Sequence, residues 1–562
     1  MSQRVFVYGV CVKRLIPVLI FVYSFFFLQA VQAAEPLELS GRYKGYNVIL
    51  IVLDGMRPDH LGCYGYPQKT SPNIDSLADH GAVFTNAFSV AAYTLPGVAS
   101  IFTSLYPYSH GMMKVLKDKL PDNVFTLAQV MGKFGYNTAW FGPAYDPHTG
   151  SAPGQLKGFK SKYHVNFLDR FDKIHDWIDQ NSRNKFFLTV HSYLPHEMNF
   201  PFLRTDNRFS RMVSNELKDG LLDLRQRWWD DLRVTLNKDP ERIYFLFGKT
   251  WVEYNMNLFM DSPANLKGSK WWKWGKGMRA MLKKYPQKVY RLIGKKFVER
   301  KSILFMPKPV PLGEGFDGLW GNSLEGYVDS LNKKKFSEFM SLLDSAVYAA
   351  DEKLIGGIIS ELKALGIYDR TIIVITADHG NEYKEHGHFG HGRYLYDESI
   401  HIPLIYYLPG AGKGTRIDQL AQSIDILPTL LDLLSIPAPE RAQGISLVGL
   451  LENKKDAFTN EFVFSQGSDG IFSLRSLKWK YIRKNEERAG GHQEVSEYLF
   501  DLQKDKLEKN NLMRSLPKTA KTLRERLDSW EKSLPVYGDE KREFLPGVTE
   551  EMRERIRKTG YW

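Results

Sequence analysis

YNVILIVLDG, residues 46–55, is a continuous apolar run that stops at Asp-Gly. A run of this length with no polar alternation reads as a strand buried on both faces, the pattern of a parallel sheet, and it leaves Asp54 at the strand's carboxyl end. TIIVITADHG (371–380) repeats the pattern and leaves Asp378 in the same place. KFFLTVHSY (185–193) and IPLIYYLPG (402–410) read as further strands. Between them lie helical stretches. SPNIDSLADHGAVF (71–84) offers Ser71 as a cap, Pro72 for the first turn and Gly81 as a stop. VFTLAQVMGKFGYNTAWFG (124–142) reads as helix, glycine turn and strand. FSEFMSLLDSAVYAADEKLIGGIISELKALG (336–366) reads as one long amphipathic helix, and IDILPTLLDLLSI (424–436) as another. Strands alternating with helices predict an α/β fold with a mainly parallel sheet. Such sheets bind ligands at the carboxyl ends of their strands, where Asp54 and Asp378 both fall.

Working outward, the pattern changes after residue 436. FVFSQGSDGIFSLRSLKWKYIRK (462–484) looks like short antiparallel strands, so residues 437–562 form a smaller α+β subdomain with a tail. Residues 204–330 read as an insertion between core strands. The chain's 562 residues are ample for one large enzyme with insertions, and no internal repeat or low-complexity tract is present.

The amino terminus reads as a targeting segment. Arg4, Lys13 and Arg14 precede the apolar run LIPVLIFVYSFFFLQAVQA, and Val31-Gln32-Ala33 resembles a cleavage site ahead of Ala34. Residues 1–34 are therefore expected to be a signal peptide, with an uncleaved signal anchor as the alternative. Either places the body of the chain outside the cytoplasm, in the periplasm or cell envelope. Only Cys11 and Cys63 occur, and Cys11 lies in the leader, which excludes a disulfide-stapled scaffold.

Charge is concentrated. Residues 267–301 contain thirteen Lys or Arg against Glu299 alone, a net +12 that equals the net charge of the whole chain. Trp271, Trp272 and Trp274 stand at the border of this segment, and Met278, Met281, Leu282 and Tyr285 keep helical spacing within it. Three readings fit: an interfacial helix on an anionic membrane surface, an amphipathic helix packed on the catalytic domain, and a groove for an anionic polysaccharide. Export argues against nucleic acid as the partner.

TADHGNEYKEHGHFGHG (376–392) is the densest polar run. Asp378 and His379 stand together at a strand end, and His386, His388 and His391 follow in a glycine-rich loop. Carboxylates and an imidazole, joined by Asp54 from another strand, make a ligand set for a divalent metal. Mn²⁺, Mg²⁺ and Ca²⁺ suit the carboxylates, and Zn²⁺ suits the imidazole. His191, at the end of a buried strand, reads as a polar strand residue with no role. In AAYTLPGVASIFTSLYPYSHG (91–111) the hydroxyl of Thr94 precedes Leu95-Pro96-Gly97. It can cap the helix that follows, serve as a metal-activated nucleophile, or do both.

LDGMRPDHLGCYGY, ASIFTSLYPYSHG, TADHG…GHG…YDESIHIPL, SIDILPTLLDLL and SLKWKYI…EYLFDLQKDKLEKNNL stand in the order found in one family. From about Tyr46 to Met513 the chain resembles the sulfatases of the alkaline phosphatase superfamily. The resemblance implies a mainly parallel sheet with helices on both faces and a catalytic domain over 46–436. It also implies a metal-held nucleophile at a helix start, a covalent intermediate, and release to water or another acceptor. The metal ligands carried over are Asp54, Thr94, Asp378 and His379. His196, in the PH after a strand, and His391, in GHG, are carried over as catalytic residues that bind the ester or protonate its leaving oxygen.

The chain departs from the sulfatase pattern at five positions. The Cys or Ser that sulfatases convert to formylglycine is Thr94, and the signature Arg is Val98. The usual Lys and His of a later stretch are Pro143 and Tyr145, and the second acid of the Asp-Asp pair is Gly55. Thr nucleophiles resemble the phosphodiesterase and the phosphoethanolamine- or phosphoglycerol-transferase branches, with one metal ion. The expected function is thus hydrolysis or transfer of a phosphoester, a phosphodiester or lipid headgroup, through Thr94. The alternatives are sulfuric ester hydrolysis on a sulfated glycan or small ester, and a non-catalytic binding protein that keeps the fold. The substrate partner is an anionic phosphate or sulfate ester.

Overall fold

The computed structural model describes residues 38–113, 118–142, 154–164, 171–196, 207–224, 227, 324–411, 414–454, 457–468, 470–488 and 492–537. The leader at 1–34, Pro143, Tyr145 and the basic stretch 267–301 lie outside the described residues.

The apolar runs form strands where their patterning predicts. β1 (Asn47–Leu53), β2 (Ala82–Phe88), β3 (Asn137–Gly142), β4 (Ser161–His164), β5 (Phe186–Ser192) and β6 (Thr371–Thr376) belong to one sheet. A short hairpin, β7 (Glu382–Tyr383) with β8 (Phe389–Gly390), stands apart from it. β9 (Leu404–Tyr407) and β10 (Thr415–Gln422) complete the eight strands, in the order β10-β2-β9-β6-β1-β5-β3-β4. All pairings are parallel except those of β9, which runs antiparallel to both β2 and β6. β1 sits between β5 and β6, and each of its residues from Val48 to Leu53 is at most 1% exposed. Each such aliphatic side chain contributes roughly 1.5–3 kcal/mol by leaving water.

Helices α1 (Pro72–Asp79), α2 (Thr94–Thr103), α3 (Leu127–Lys133) and α4 (Asp172–Asn181) join these strands. Ser71 precedes α1 but does not cap it: its hydroxyl bonds Asp75, while Asp351 accepts from the α1 amides of Asn73 and Ile74. The helix expected over 336–366 is not continuous. α5 (Lys333–Ala349) gives way to a π-helical stretch at Ala350–Ile355 before α6 (Gly356–Ala364) resumes. That interruption turns the Asp351 carboxylate onto the α1 amides, which is the local use of the wider turn.

The carboxyl-terminal part holds an antiparallel sheet of β11 (Val463–Gln466), β12 (Ile471–Arg475), β13 (Trp479–Arg488) and β14 (His492–Asp501). A long helix, α7 (Pro517–Ser533), packs Leu523 and Leu527 against Leu474, Tyr481 and Leu499 of that sheet. A shared apolar cluster binds the two parts together, with Phe88, Leu395 and Ile400 on one side and Val463, Ile482 and Phe500 on the other. No helix among the described residues is long and apolar enough to cross a membrane.

Candidate active site

Asp54 follows β1, His191 lies in β5, and Asp378 and His379 follow β6. Because β5, β1 and β6 are parallel neighbours, their carboxyl ends deliver these side chains to one place. His191 Nε2 is 2.9 Å from Asp54 Oδ2 and 3.7 Å from Asp378 Oδ2. His379 Nε2 is 3.5 Å from Asp54 Oδ1 and 3.7 Å from Asp378 Oδ2. All four side chains are fully buried. The ligand atoms of Asp54, His191 and Asp378 lie within 4.8 Å of one another.

His191 is therefore a correction to the sequence reading. Placed there as a polar strand residue without a role, it sits among the acids. A fully buried strand carries no alternation to show which face a residue takes. The available signal was that VHSYLPH puts a second histidine five residues before His196.

Thr94 is the first residue of α2, one place beyond the cap position held by Tyr93. Its hydroxyl does not cap the helix; it lies 3.2 Å from His379 Nε2. His379 Nδ1 is 2.6 Å from the Gly380 carbonyl, which can only accept, so Nδ1 carries a proton and Nε2 is the ring atom that faces the cluster. Gly97 fixes the approach of α2, since a Cβ there would stand 2.6 Å from the Asp378 carbonyl oxygen. The helix start and the strand end are thus in direct backbone contact.

His196 and His391 close the group. His196 Nε2 is 3.5 Å from Asp54 Oδ1, and the His196 ring meets that of His391 edge-on at 4.9 Å. The His391 ring stacks on His379 at 4.3 Å. His386 and His388 are not part of it. His386 pairs with Glu398 and with the Glu508 carbonyl, and His388 stacks on Tyr394. Gly55, where the family's second acid is missing, has φ +65°, and a Cβ there would point between His196 and His379 at 3.8 Å from each. An acid at this position would enter the cluster, whereas glycine offers no side-chain ligand.

The electrostatics of the cluster ask for a cation. Burial pushes His191 down to about 4, against the opposing pull of Asp378, so its ring is neutral near pH 7 and adds no positive charge beside the carboxylates. Burial and the neighbouring His379 also hold His391 well below the usual imidazole range. Asp378 Oδ2 has no hydrogen-bond partner among the described residues, although it is wholly buried. Two buried carboxylates beside neutral imidazoles form an unfavourable arrangement that a divalent ion relieves, and the donor set fits one.

The sheet topology and the metal-suited cluster at its carboxyl edge define an alkaline phosphatase-like α/β protein. A profile of the sulfatase family matches residues 46–436, and one for the carboxyl-terminal part of N-sulphoglucosamine sulphohydrolase matches residues 384–533. The chain belongs to the sulfatase family.

Arylsulfatase K of Bos taurus is 30% identical over 198 residues, 33% of this chain and 35% of that protein. The chain thus aligns with about a third of the length of these relatives. An ulvan-active sulfatase of Formosa agariphila is 24% identical over 532 residues, 92% of this chain and 87% of that protein. Among solved structures, the phosphonate monoester hydrolase of Agrobacterium radiobacter superposes with a TM-score of 0.57 at 19% identity, covering 90% of this chain and 98% of its own. A 2-O GAG sulfatase gives the same TM-score and identity over 87% of this chain and 92% of its own.

Proposed function

We propose that the chain is a metal-dependent phosphoester hydrolase or phosphoryl-headgroup transferase in which Thr94 is the nucleophile. The observation that carries this reading is the Thr94 hydroxyl, held at the first turn of α2 and 3.2 Å from His379 Nε2 inside the carboxylate cluster. Asp54, Asp378 and His379 would hold one divalent ion, with His191 beside both acids. Such an ion supplies charge neutralisation and lowers the pKa of a nearby hydroxyl.

The rest falls to the chain's own groups. The Thr94 oxygen attacks phosphorus, a new O–P bond forms, and the bond to the leaving oxygen breaks. The hydroxyl proton leaves to solvent, because His379 Nε2 would be taken up in holding the ion. The leaving oxygen takes a proton from His196, whose ring faces the same space. His391, kept neutral by burial, donates an N–H to an ester oxygen without carrying charge. Water, or the hydroxyl of an acceptor, then attacks the Thr94 ester and frees the enzyme.

Burial keeps the imidazoles of His191 and His391 neutral, so neither adds positive charge for the ester. The leader and the basic, Trp-bearing stretch 267–301 support an exported enzyme that works at an anionic lipid surface or polysaccharide. The second reading is sulfuric ester hydrolysis on a sulfated glycan. It is supported by the likeness to an ulvan-active sulfatase over most of the chain. It is opposed by Thr94, which stands where formylglycine would be made.

The test is turnover of chromogenic phosphodiester, phosphomonoester and sulfate esters by the chain without its leader, with Mn²⁺, Ca²⁺ or Zn²⁺, beside Thr94→Ala. Metal-dependent phosphodiester cleavage that falls at least a thousandfold in Thr94→Ala is the expected result. Sulfate-ester cleavage that survives Thr94→Ala would overturn the assignment.

A further inference from the structure

His391 sits in a loop that has little structure of its own. Between Asn381 and Asp397 four residues take positive φ: Lys384 at 75°, Gly387 at 84°, Gly390 at 100° and Gly392 at 89°. The loop's own ladder is only the two-residue pairing of β7 with β8. Such a segment has many conformations to lose, and something outside it must hold it still.

The turn after β14, residues 502–511, touches the loop at both ends. Downstream of His391, the Asp397 carboxylate lies 2.7 Å from Lys480 Nζ and 3.0 Å from Arg475 Nε, and the Asp397 N–H donates to Glu508 Oε2 at 2.6 Å. Lys480 Nζ is also 3.5 Å from Glu508 Oε1. Upstream, His386 Nε2 bonds the Glu508 carbonyl at 3.1 Å, and Lys509 reaches the Glu385 carbonyl. One residue therefore holds both ends, by its carboxylate at 397 and by its main chain at 386. The ends are pinned to each other as well, since His386 stacks on Tyr396 with ring centroids 3.6 Å apart. Glu508 itself has φ +54°, a conformation unfavourable for its side chain that persists only where its surroundings dictate it.

Lys480 and Glu508 are both at most 1% exposed. A buried ion group is a weak source of net stability, because desolvation consumes most of the attraction. What it supplies is a definite geometry, and here that geometry belongs to the loop bearing His391.

We propose that Lys480, Asp397 and Glu508 are positioning residues through which the carboxyl-terminal sheet fixes the His391 loop. The consequence for turnover rests on the reading of His391 as a substrate-binding histidine. The experiment compares the purified, Mn²⁺-loaded chain with Lys480→Met and Glu508→Gln by amide hydrogen exchange, ester turnover and Mn²⁺ titration.

In Lys480→Met, exchange across residues 384–393 quickens at least tenfold while β1 and β6 keep wild-type rates. Turnover per folded molecule falls at least tenfold in kcat, and Mn²⁺ affinity stays within twofold because its proposed ligands come from other strand ends. Loop exchange within threefold of wild type overturns the proposal. So does a lower melting temperature with unchanged kcat and KM, which is what a merely structural ion group would give.

Should Lys480→Met not fold, Glu508→Gln decides by the same readings. It keeps the main-chain bond to His386 and an acceptor for the Asp397 amide but loses the charge that meets Lys480. At least threefold faster loop exchange is expected, and a smaller change overturns the proposal. If the wild-type chain cleaves no ester, the exchange result still judges the clasp, and it is the proposed function that falls.

Discussion

At residue 94, one position separates a capping hydroxyl from one that faces the cluster. The cap position is Tyr93, and Thr94 turns inward toward His379. The sequence narrowed the choice to that one side chain but could not resolve it, because a cap and a nucleophile both favour a small hydroxyl residue before a helix. His191 failed for a different reason. Its place among the acids depends on β5 lying next to β1, and strand adjacency is a property of the sheet that no local pattern carries. Under the Thr94 reading, Thr94→Ser retains the hydroxyl and loses only the methyl group that restricts its rotamer. Its kcat is expected to stay within about tenfold of wild type, whereas Thr94→Val, equal in shape, loses at least about a thousandfold. Steady-state kinetics at saturating metal, with melting curves run alongside, separate the two, and equal losses in both variants would remove the hydroxyl from the mechanism.

At the level of elements, the strand and helix assignments were legible wherever hydrophobic period was strong. β1, β5 and β6 lie within the apolar runs that suggested them. The antiparallel direction of β9 was not legible, since a buried strand of four residues looks the same in either direction. Nor was the π-helical stretch, whose cause is a tertiary partner, the start of α1. The packing of α2 on the end of β6 yields a prediction at this scale. Alanine is ordinarily a better helix residue than glycine by about 0.5–1 kcal/mol. At Gly97, however, the new Cβ would meet the Asp378 carbonyl oxygen at 2.6 Å, and two backbones cannot yield as a flexible side chain would. Gly97→Ala is expected to destabilise by roughly 1–3 kcal/mol and to lower kcat about a hundredfold by moving Thr94 from His379. A thermal melt and a kcat within twofold of wild type would show that α2 tolerates the shift.

For the whole molecule, folding gathers acids in places that oppose their ionisation, and stability should report it. Glu382 is buried and burial pushes it up to about 8, with Ser399 donating to one of its oxygens. Its folded pKa lies above the unfolded value of 4.5, so its contribution is fully present below pH 4.5 and is lost as pH rises toward 8. Glu382→Gln should therefore lose less stability than wild type between pH 5 and pH 8, by on the order of 3 kcal/mol, as read from urea titrations at both pH values. The metal cluster presents the same conflict more sharply. Asp54 and Asp378 are both fully buried, and the neutral His191 ring, though within hydrogen-bond distance of Asp54, brings no positive charge to balance them. A divalent ion that binds only the folded chain should stabilise it by about 3–4 kcal/mol at a hundred to a thousand times its Kd, and a chelator should remove that gain. Asp378→Asn tests the cause. Its remaining oxygen still accepts from the Gly55 and His379 amides, and its nitrogen replaces the oxygen that has no hydrogen bond among the described residues. Stripped of metal, Asp378→Asn is expected to melt at or above the temperature of the stripped wild type, because one buried charge is gone. With Mn²⁺ it should gain little, while the wild type gains several degrees. A stripped variant that melts well below the stripped wild type would mean that the two carboxylates support the fold without an ion, and the case for a metal centre at the end of β1 would fall with that result.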